Sequence, residues 1–305
     1  MQRFKRPENT KEIKEQLEIV PVEEITDVLK LTGIIDEERK EMIWVYQNLI
    51  LDFSGAHSYL KEGVKTEKIA YIDCTDITEA NMYCSETAER DIKRKIAKYG
   101  YRGIHFLDSG NYHYVTKFFL EQIKEPFSLV LFDYHDDMRH KALYEFSDCG
   151  SWARDILLNH PYLQQMIIIG PEQKQADELS NIEERLVCIS IQELENEKAE
   201  KKLEKIKKNI PVYISIDKDV LSNSYAVTNW NQGRMSLEML ENVLTLFLLN
   251  DNVMGVDICG EYSLTDGTFR DFMNAEKVNK NANKELFHYI RSFIQWWICK
   301  GGKGD

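Results

Sequence analysis

Two carboxylates and an imidazole alternate in Asp133-Tyr134-His135-Asp136-Asp137, directly after the apolar run Leu129-Val130-Leu131-Phe132. A second acidic pair, Asp217-Lys218-Asp219, follows Tyr213-Ile214-Ser215-Ile216, and Asp108-Ser109-Gly110-Asn111-Tyr112-His113 follows Ile104-His105-Phe106-Leu107. Side chains two residues apart point the same way while the backbone stays extended. Asp133, His135 and Asp137 can therefore converge, with Asp217 and Asp219 facing them from a neighbouring strand and His113 joining from a third stretch. Carboxylates that crowded resist joint ionisation, and a bound cation removes the difficulty. A lone Asp-x-Asp at a strand end is ordinarily a turn or a helix cap. An Asp-x-His-x-Asp after a buried run, matched by a second Asp-x-Asp, points instead to metal ions.

The elements that must position these groups are legible from about Lys68 onward. Short β-branched or aromatic runs predict strands at Ile69–Asp73, Gly103–Leu107, Ser128–Phe132, Gln165–Ile169, Arg185–Ile189, Val212–Ile216 and Val253–Ile258. Amphipathic stretches between them predict helices at Glu86–Lys98, Tyr112–Ile123, Ser151–Asn159, Ile191–Lys208 and Leu237–Leu249, with a last helix over about Asn274–Cys299. Ser190-Ile191-Gln192-Glu193 has the form of a capping box. Strict alternation of strand and helix implies a three-layer α/β/α domain with a mostly parallel sheet, because each parallel connection needs a crossover. Ligands in such folds bind beyond the carboxyl ends of the strands, where the acidic stretches lie. Residues 1–65 form an N-terminal extension of uncertain role with a helix-like stretch around Glu38–Leu51, and the tail 301–305 is expected to fray. The whole chain, 1–305, reads as one domain.

Composition narrows the partners. The 305 residues carry 51 acids against 39 bases, a formal charge of −12, which gives no basic footprint for nucleic acid. No apolar stretch reaches the roughly 20 residues of a membrane span. The start, MQRFKRPENTKEIKEQ, lacks the apolar region of a secretory signal. The six cysteines are scattered with no Cys-x-x-Cys pair, as expected of reduced thiols in a cytoplasmic protein. A homo-oligomer is left open.

These stretches, in this order, resemble the arginase/agmatinase (ureohydrolase) superfamily. Its Gly-Gly-Asp-His-Ser, Asp-Ala-His-x-Asp and Ser-x-Asp-x-Asp-x-x-Asp-Pro marks correspond here to Gly110-Asn111-Tyr112-His113-Tyr114, Asp133-Tyr134-His135-Asp136-Asp137 and Ser215-Ile216-Asp217-Lys218-Asp219-Val220-Leu221-Ser222. The resemblance runs from about Ile69 to the C-terminus and implies two Mn(2+) per chain. His113, Asp133, Asp137 and Asp217 would hold one ion and Asp133, His135, Asp217 and Asp219 the other. A set of four carboxylates and two imidazoles is harder than zinc usually selects, which agrees with manganese.

The implied reaction is cleavage of a guanidino C–N bond by a metal-bridging hydroxide, releasing urea and an amine. Asp137 would pass the proton and Glu261, in Val256-Asp257-Ile258-Cys259-Gly260-Glu261, would bind the guanidinium. The match departs from arginase proper. No histidine occurs in Asp148-Cys149-Gly150-Ser151-Trp152-Ala153-Arg154, where arginases carry a proton-shuttling Ser-Gly-Asn-x-His; His140 and His160 are the nearby candidates. The clamp for a free α-amino acid is not recognisable. The implied substrate is a small guanidino compound such as an agmatine-like amine, or peptide-borne arginine, with Trp230 and Tyr225 candidates to line the cleft. Two other readings stand beside this one: a zinc-dependent amide deacetylase, which shares the fold but uses one metal and a pair of adjacent histidines, and a catalytically silent metal-binding homologue.

Overall fold

The central strands are continuous apolar runs, as a sheet covered on both faces requires. In the computed structural model, which describes residues 46–57, 69–141, 146–180, 182–250, 252–264 and 269–300, they form one eight-stranded sheet. Its strands are β1 (Asn48–Asp52), β2 (Ile69–Asp73), β4 (Ile104–Phe106), β5 (Phe127–Phe132), β7 (Leu163–Ile169), β8 (Leu186–Ile189), β9 (Val212–Asp217) and β10 (Val253–Cys259). The spatial order is β2-β1-β4-β10-β9-β5-β7-β8 and every pairing is parallel. A separate antiparallel pair joins β3 (Tyr83–Cys84) to β6 (Ser147–Asp148).

Alternate residues of each strand feed two distinct cores. Leu129, Leu131, Met166, Ile168 and Tyr213 enter one cluster with residues of α1 (Glu86–Ile96), α2 (Val115–Leu120), α3 (Trp152–Asn159) and α4 (Gln173–Leu179). Val130, Phe132, Ile167, Ile169, Ile214 and Ile216 enter the other. That second core also takes residues from α5 (Ile191–Glu195), α7 (Leu237–Asn250) and α8 (Phe269–Lys300). The result is the three-layer α/β/α arrangement that the alternation of elements implies.

Three expectations are corrected. The helix-like stretch Glu38–Leu51 ends in a strand: Asn48–Asp52 pairs with both β2 and β4, while residues 38–45 lie outside the described residues. Leu49, Ile50 and Leu51 are buried on both faces, and such a short apolar run has no period that separates strand from helix. Part of the N-terminal extension therefore completes the sheet. Ile191–Lys208 is not one helix but α5 followed by α6 (Glu200–Leu203), interrupted where Glu197 takes a left-handed φ of 54°. Its capping box is formed as expected, with Ser190 and Glu193 satisfying each other's backbone N–H. The segment Tyr112–Ile123 starts instead as a 3-10 turn, Gly110–Tyr112, before α2. The tail 301–305 lies outside the described residues.

Candidate metal centre

Strand register brings the acidic stretches to one edge. Phe132 pairs with Ile216 across β5 and β9, so Asp133 and Asp217 leave the sheet side by side. Cys259 of β10 lies opposite Asp217, and Ile258 opposite Phe106 of β4. Four adjacent strands thus end at one level, which is where this sheet architecture leaves room for a ligand.

His113 reaches that level from the 3-10 turn beyond β4. Its Nδ1 lies 3.1 Å from Asp137 Oδ2, 3.3 Å from Asp133 Oδ2 and 3.6 Å from Asp217 Oδ2. The other ring nitrogen, Nε2, is 2.9 Å from Ser215 Oγ, which also contacts Thr116 Oγ1. His135 Nδ1 lies 2.8 Å from Asp219 Oδ2 and 3.8 Å from Asp133 Oδ1. All six side chains line one pocket, with Arg139, Cys149 and Trp230 among its other walls.

The supporting bonds are local. Asp217 Oδ1 accepts the Asp219 N–H at 2.9 Å, Asp133 Oδ1 accepts the His135 N–H at 2.7 Å, and Asp219 Oδ1 accepts the Tyr134 N–H at 3.1 Å. Asp137 takes a left-handed φ of 51°, a conformation more accessible to aspartate than to most residues, and its Oδ2 accepts a 2.5 Å hydrogen bond from Trp152 Nε1. Gly110 and Gly260 leave space that Asp217 fills: a Cβ would stand 3.1 Å from its Oδ2 at Gly110 and 2.5 Å from its Oδ1 at Gly260.

Charge is concentrated here without balance. Burial, reinforced by Asp219 and Asp137, raises the Asp133 carboxyl well above its ordinary range despite the opposing His113. Burial and Asp219 push Asp217 up to about 7, against His113. Burial alone would lower His113, but its bonds to Asp133 and Asp137 and the charge of Asp217 raise it well above its ordinary value. The protein without metal therefore retains protons among these groups. Two sets of three, His113-Asp133-Asp137 and Asp133-His135-Asp219, have donor atoms close enough to hold a metal ion, and Asp133 belongs to both. Buried carboxylates and imidazoles of this kind, with His113 braced by Ser215 on its far nitrogen, fit a pair of divalent cations.

Glu261 is placed differently. It is buried, its Oε1 is bound by Lys218 Nζ and accepts from Asn283 Nδ2 at 2.6 Å, and it is not among the residues lining the pocket. Burial would raise its carboxyl, yet Lys218 and His57 hold it below the usual value. Trp230 lines the pocket, donating Nε1 to Asn111 Oδ1 at 2.9 Å; Tyr225 does not line it. His140 and His160 do not line it either, and His160 bonds to Leu120 O instead. Sequence reasoning passed over Ser215, Trp152, Lys218 and Arg139. Ser215 was within reach, because it precedes Asp217 by two positions in a strand and so shares its face. Trp152 and Arg139 depend on loop paths that no periodicity describes.

The fold and this strand-end arrangement define an α/β protein with a carboxylate–imidazole cluster able to hold metal. A family model described as the arginase family matches residues 48–266. An uncharacterized protein from Thermotoga maritima is 37% identical over 193 residues, covering 62% of this chain and 71% of that protein. Among solved structures, formimidoylglutamase from Bacillus subtilis superposes with a TM-score of 0.56 at 16% identity, covering 80% of this chain and 86% of that one. The agmatine ureohydrolase of Thermoplasma volcanium gives 0.54 at 14%, covering 82% and 92%. This chain belongs to the arginase family. The family match begins at β1, some way before the point where the motifs become recognisable.

Proposed function

We propose that this protein is a cytoplasmic hydrolase that uses two manganese ions per chain to cleave a guanidino C–N bond, releasing urea and an amine. The observation carrying the reading is Asp133, whose two oxygens face separate clusters, as a bridging ligand requires. His113, Asp133, Asp137 and Asp217 would hold one ion, and Asp133, His135, Asp217 and Asp219 the other. When bound, such a pair supplies Lewis acidity and makes water a nucleophile near neutral pH.

The chain's own residues supply position and proton transfer. Trp152 and His113 occupy Asp137 Oδ2, and Oδ1 makes no hydrogen bond to a described residue. Oδ1 is the atom we assign to carrying a proton to the leaving nitrogen. Trp230, held by Asn111 and edge-on to His135, closes one wall against water. Glu261 is given no contact with the guanidinium, because it lies outside the pocket lining and is paired with the buried Lys218. The five described cysteines are buried free thiols, in keeping with a reducing compartment. A one-metal deacetylase would leave the cluster around His135 without a purpose.

The test is urea release by manganese-loaded protein from free arginine, agmatine, guanidino acids and arginine-containing peptides. At least one should yield urea with wild type and none with Asp217→Ala. If wild type releases urea from none of them, the reading is wrong.

A further inference from the structure

Arg139 follows Asp137 by two residues, and its side chain lines the same pocket as the carboxylates and imidazoles. Its backbone N–H donates to Gly150 O at 3.0 Å. The guanidinium lies over Gly150, where a Cβ would stand 2.1 Å from Nη2 and 2.6 Å from Nε. The bare backbone at Gly150 thus makes the berth in which this side chain sits.

Among the described residues the guanidinium has no hydrogen-bonding or ion-pair partner. Arg102 pairs with Glu125, Arg234 with Glu172 and Glu195, and Arg185 bonds to the carbonyls of Leu157 and Leu163. Arg139 is exposed, and its side chain makes no ion pair or hydrogen bond with a described residue. Asp136 and Asp155, close in sequence or on the neighbouring helix, are otherwise engaged: Asp136 accepts the Met138 N–H, and Asp155 binds Lys117 and Lys141. Histidines apart, Arg139 is the one basic residue among those lining the pocket. Two divalent ions would balance the four aspartates, so none of those carboxylates is left over to pair with Arg139. A planar guanidinium that is always charged matches a carboxylate through two parallel hydrogen bonds and repels an ammonium.

We propose that Arg139 binds a carboxylate of the substrate, so that the site takes guanidino acids in preference to guanidino amines. This rests on the hydrolase reading for the guanidino end and adds the recognition of the other end. Trp230, opposite in chemistry, offers an apolar wall to the methylenes between the two.

The test uses 4-guanidinobutanoate and agmatine, short guanidines of similar length with opposite tail charge. Binding to manganese-loaded protein is measured by titration calorimetry, with urea release followed in parallel. Wild type should bind the acid at least about tenfold more tightly than the amine, the scale of a hydrogen-bonded charge. Arg139→Gln should abolish that preference, Arg139→Lys should retain part of it, and Arg139→Glu should reverse it. Equal or tighter binding of agmatine by wild type overturns the proposal, as does an Arg139→Gln protein with an unchanged ratio or the binding of neither compound. Arg139-dependent binding of the acid without urea release would sink the hydrolase reading alone. Urea release with a preference indifferent to Arg139 would sink this proposal alone.

Discussion

Both ring nitrogens of His113 are engaged, Nε2 with Ser215 and Nδ1 with three carboxylates, so the ring cannot turn without losing one set. An imidazole fixed in this way presents its lone pair in one direction, which is what a bracing group behind a ligand achieves. Ser215→Ala should weaken manganese binding by about 10–100-fold, read by competition with a chelating dye; unchanged affinity would show that the Ser215 bond does not orient the ring. The same cluster sets a pH dependence. His113, Asp133 and Asp217 all have folded-state values above their unfolded ones, so at these three groups the metal-free folded protein binds more protons than the unfolded chain. Their contribution to stability is complete at low pH. Asp217's share fades as pH rises from about 4 through about 7. That of His113 fades above its ordinary value. Manganese competes with those protons, so the rise in Tm that it produces should grow as pH increases from 5 to 8. A manganese-induced shift that is flat or shrinking over that range would contradict this assignment.

The element that matters most is the 3-10 turn directly after β9, where Asp217 and Asp219 flank a lysine that is fully buried. Lys218 Nζ binds Glu261 and, at 2.9 Å, Asn283 Oδ1, tying the turn to α8. Removing one partner of such a pair leaves the other charge buried alone, so Lys218→Met should cost about 3–5 kcal/mol in urea unfolding. Adding Glu261→Leu should restore much of that loss; a double variant no more stable than Lys218→Met would show that the pair is not the cause. Gly260 stands at φ +91° with Asp217 Oδ1 2.5 Å from where a Cβ would lie. Gly260→Ala should therefore cost at least about 1–2 kcal/mol for the backbone alone and displace Asp217, lowering manganese affinity as well. None of this was legible in the sequence, because a lysine between two aspartates reads as a solvated turn. The ligand-type residues themselves were legible: their types, two-residue spacing and place after apolar runs follow from strand geometry. Asp137 stands among these groups although its backbone is not extended, so the alternation argument does not explain how it gets there. Glu261 was legible as an acid at a strand end but not as half of a buried ion pair, since its partner lies 43 positions away.

At the scale of the whole molecule, the alternation of short apolar runs with amphipathic stretches dictated a parallel sheet, and the sheet dictated where a ligand could sit. β1 escaped because its five residues are too few and too uniformly apolar to show a period, and α4 because the polar stretch Gln173–Leu179 buries only Ala176 and Leu179. The strand order could not be read at all: it brings β9 between β5 and β10, and only that adjacency sets Asp133 beside Asp217. The central claim is that six side chains from three separate stretches hold two cations through a shared Asp133. The direct measurement is elemental analysis of wild type and Asp133→Asn after manganese loading and gel filtration, with circular dichroism to confirm that both are folded. Wild type should retain two manganese ions per chain, and the folded Asp133→Asn protein neither. A folded wild type that retains none, or an Asp133→Asn protein that retains both, would contradict the account.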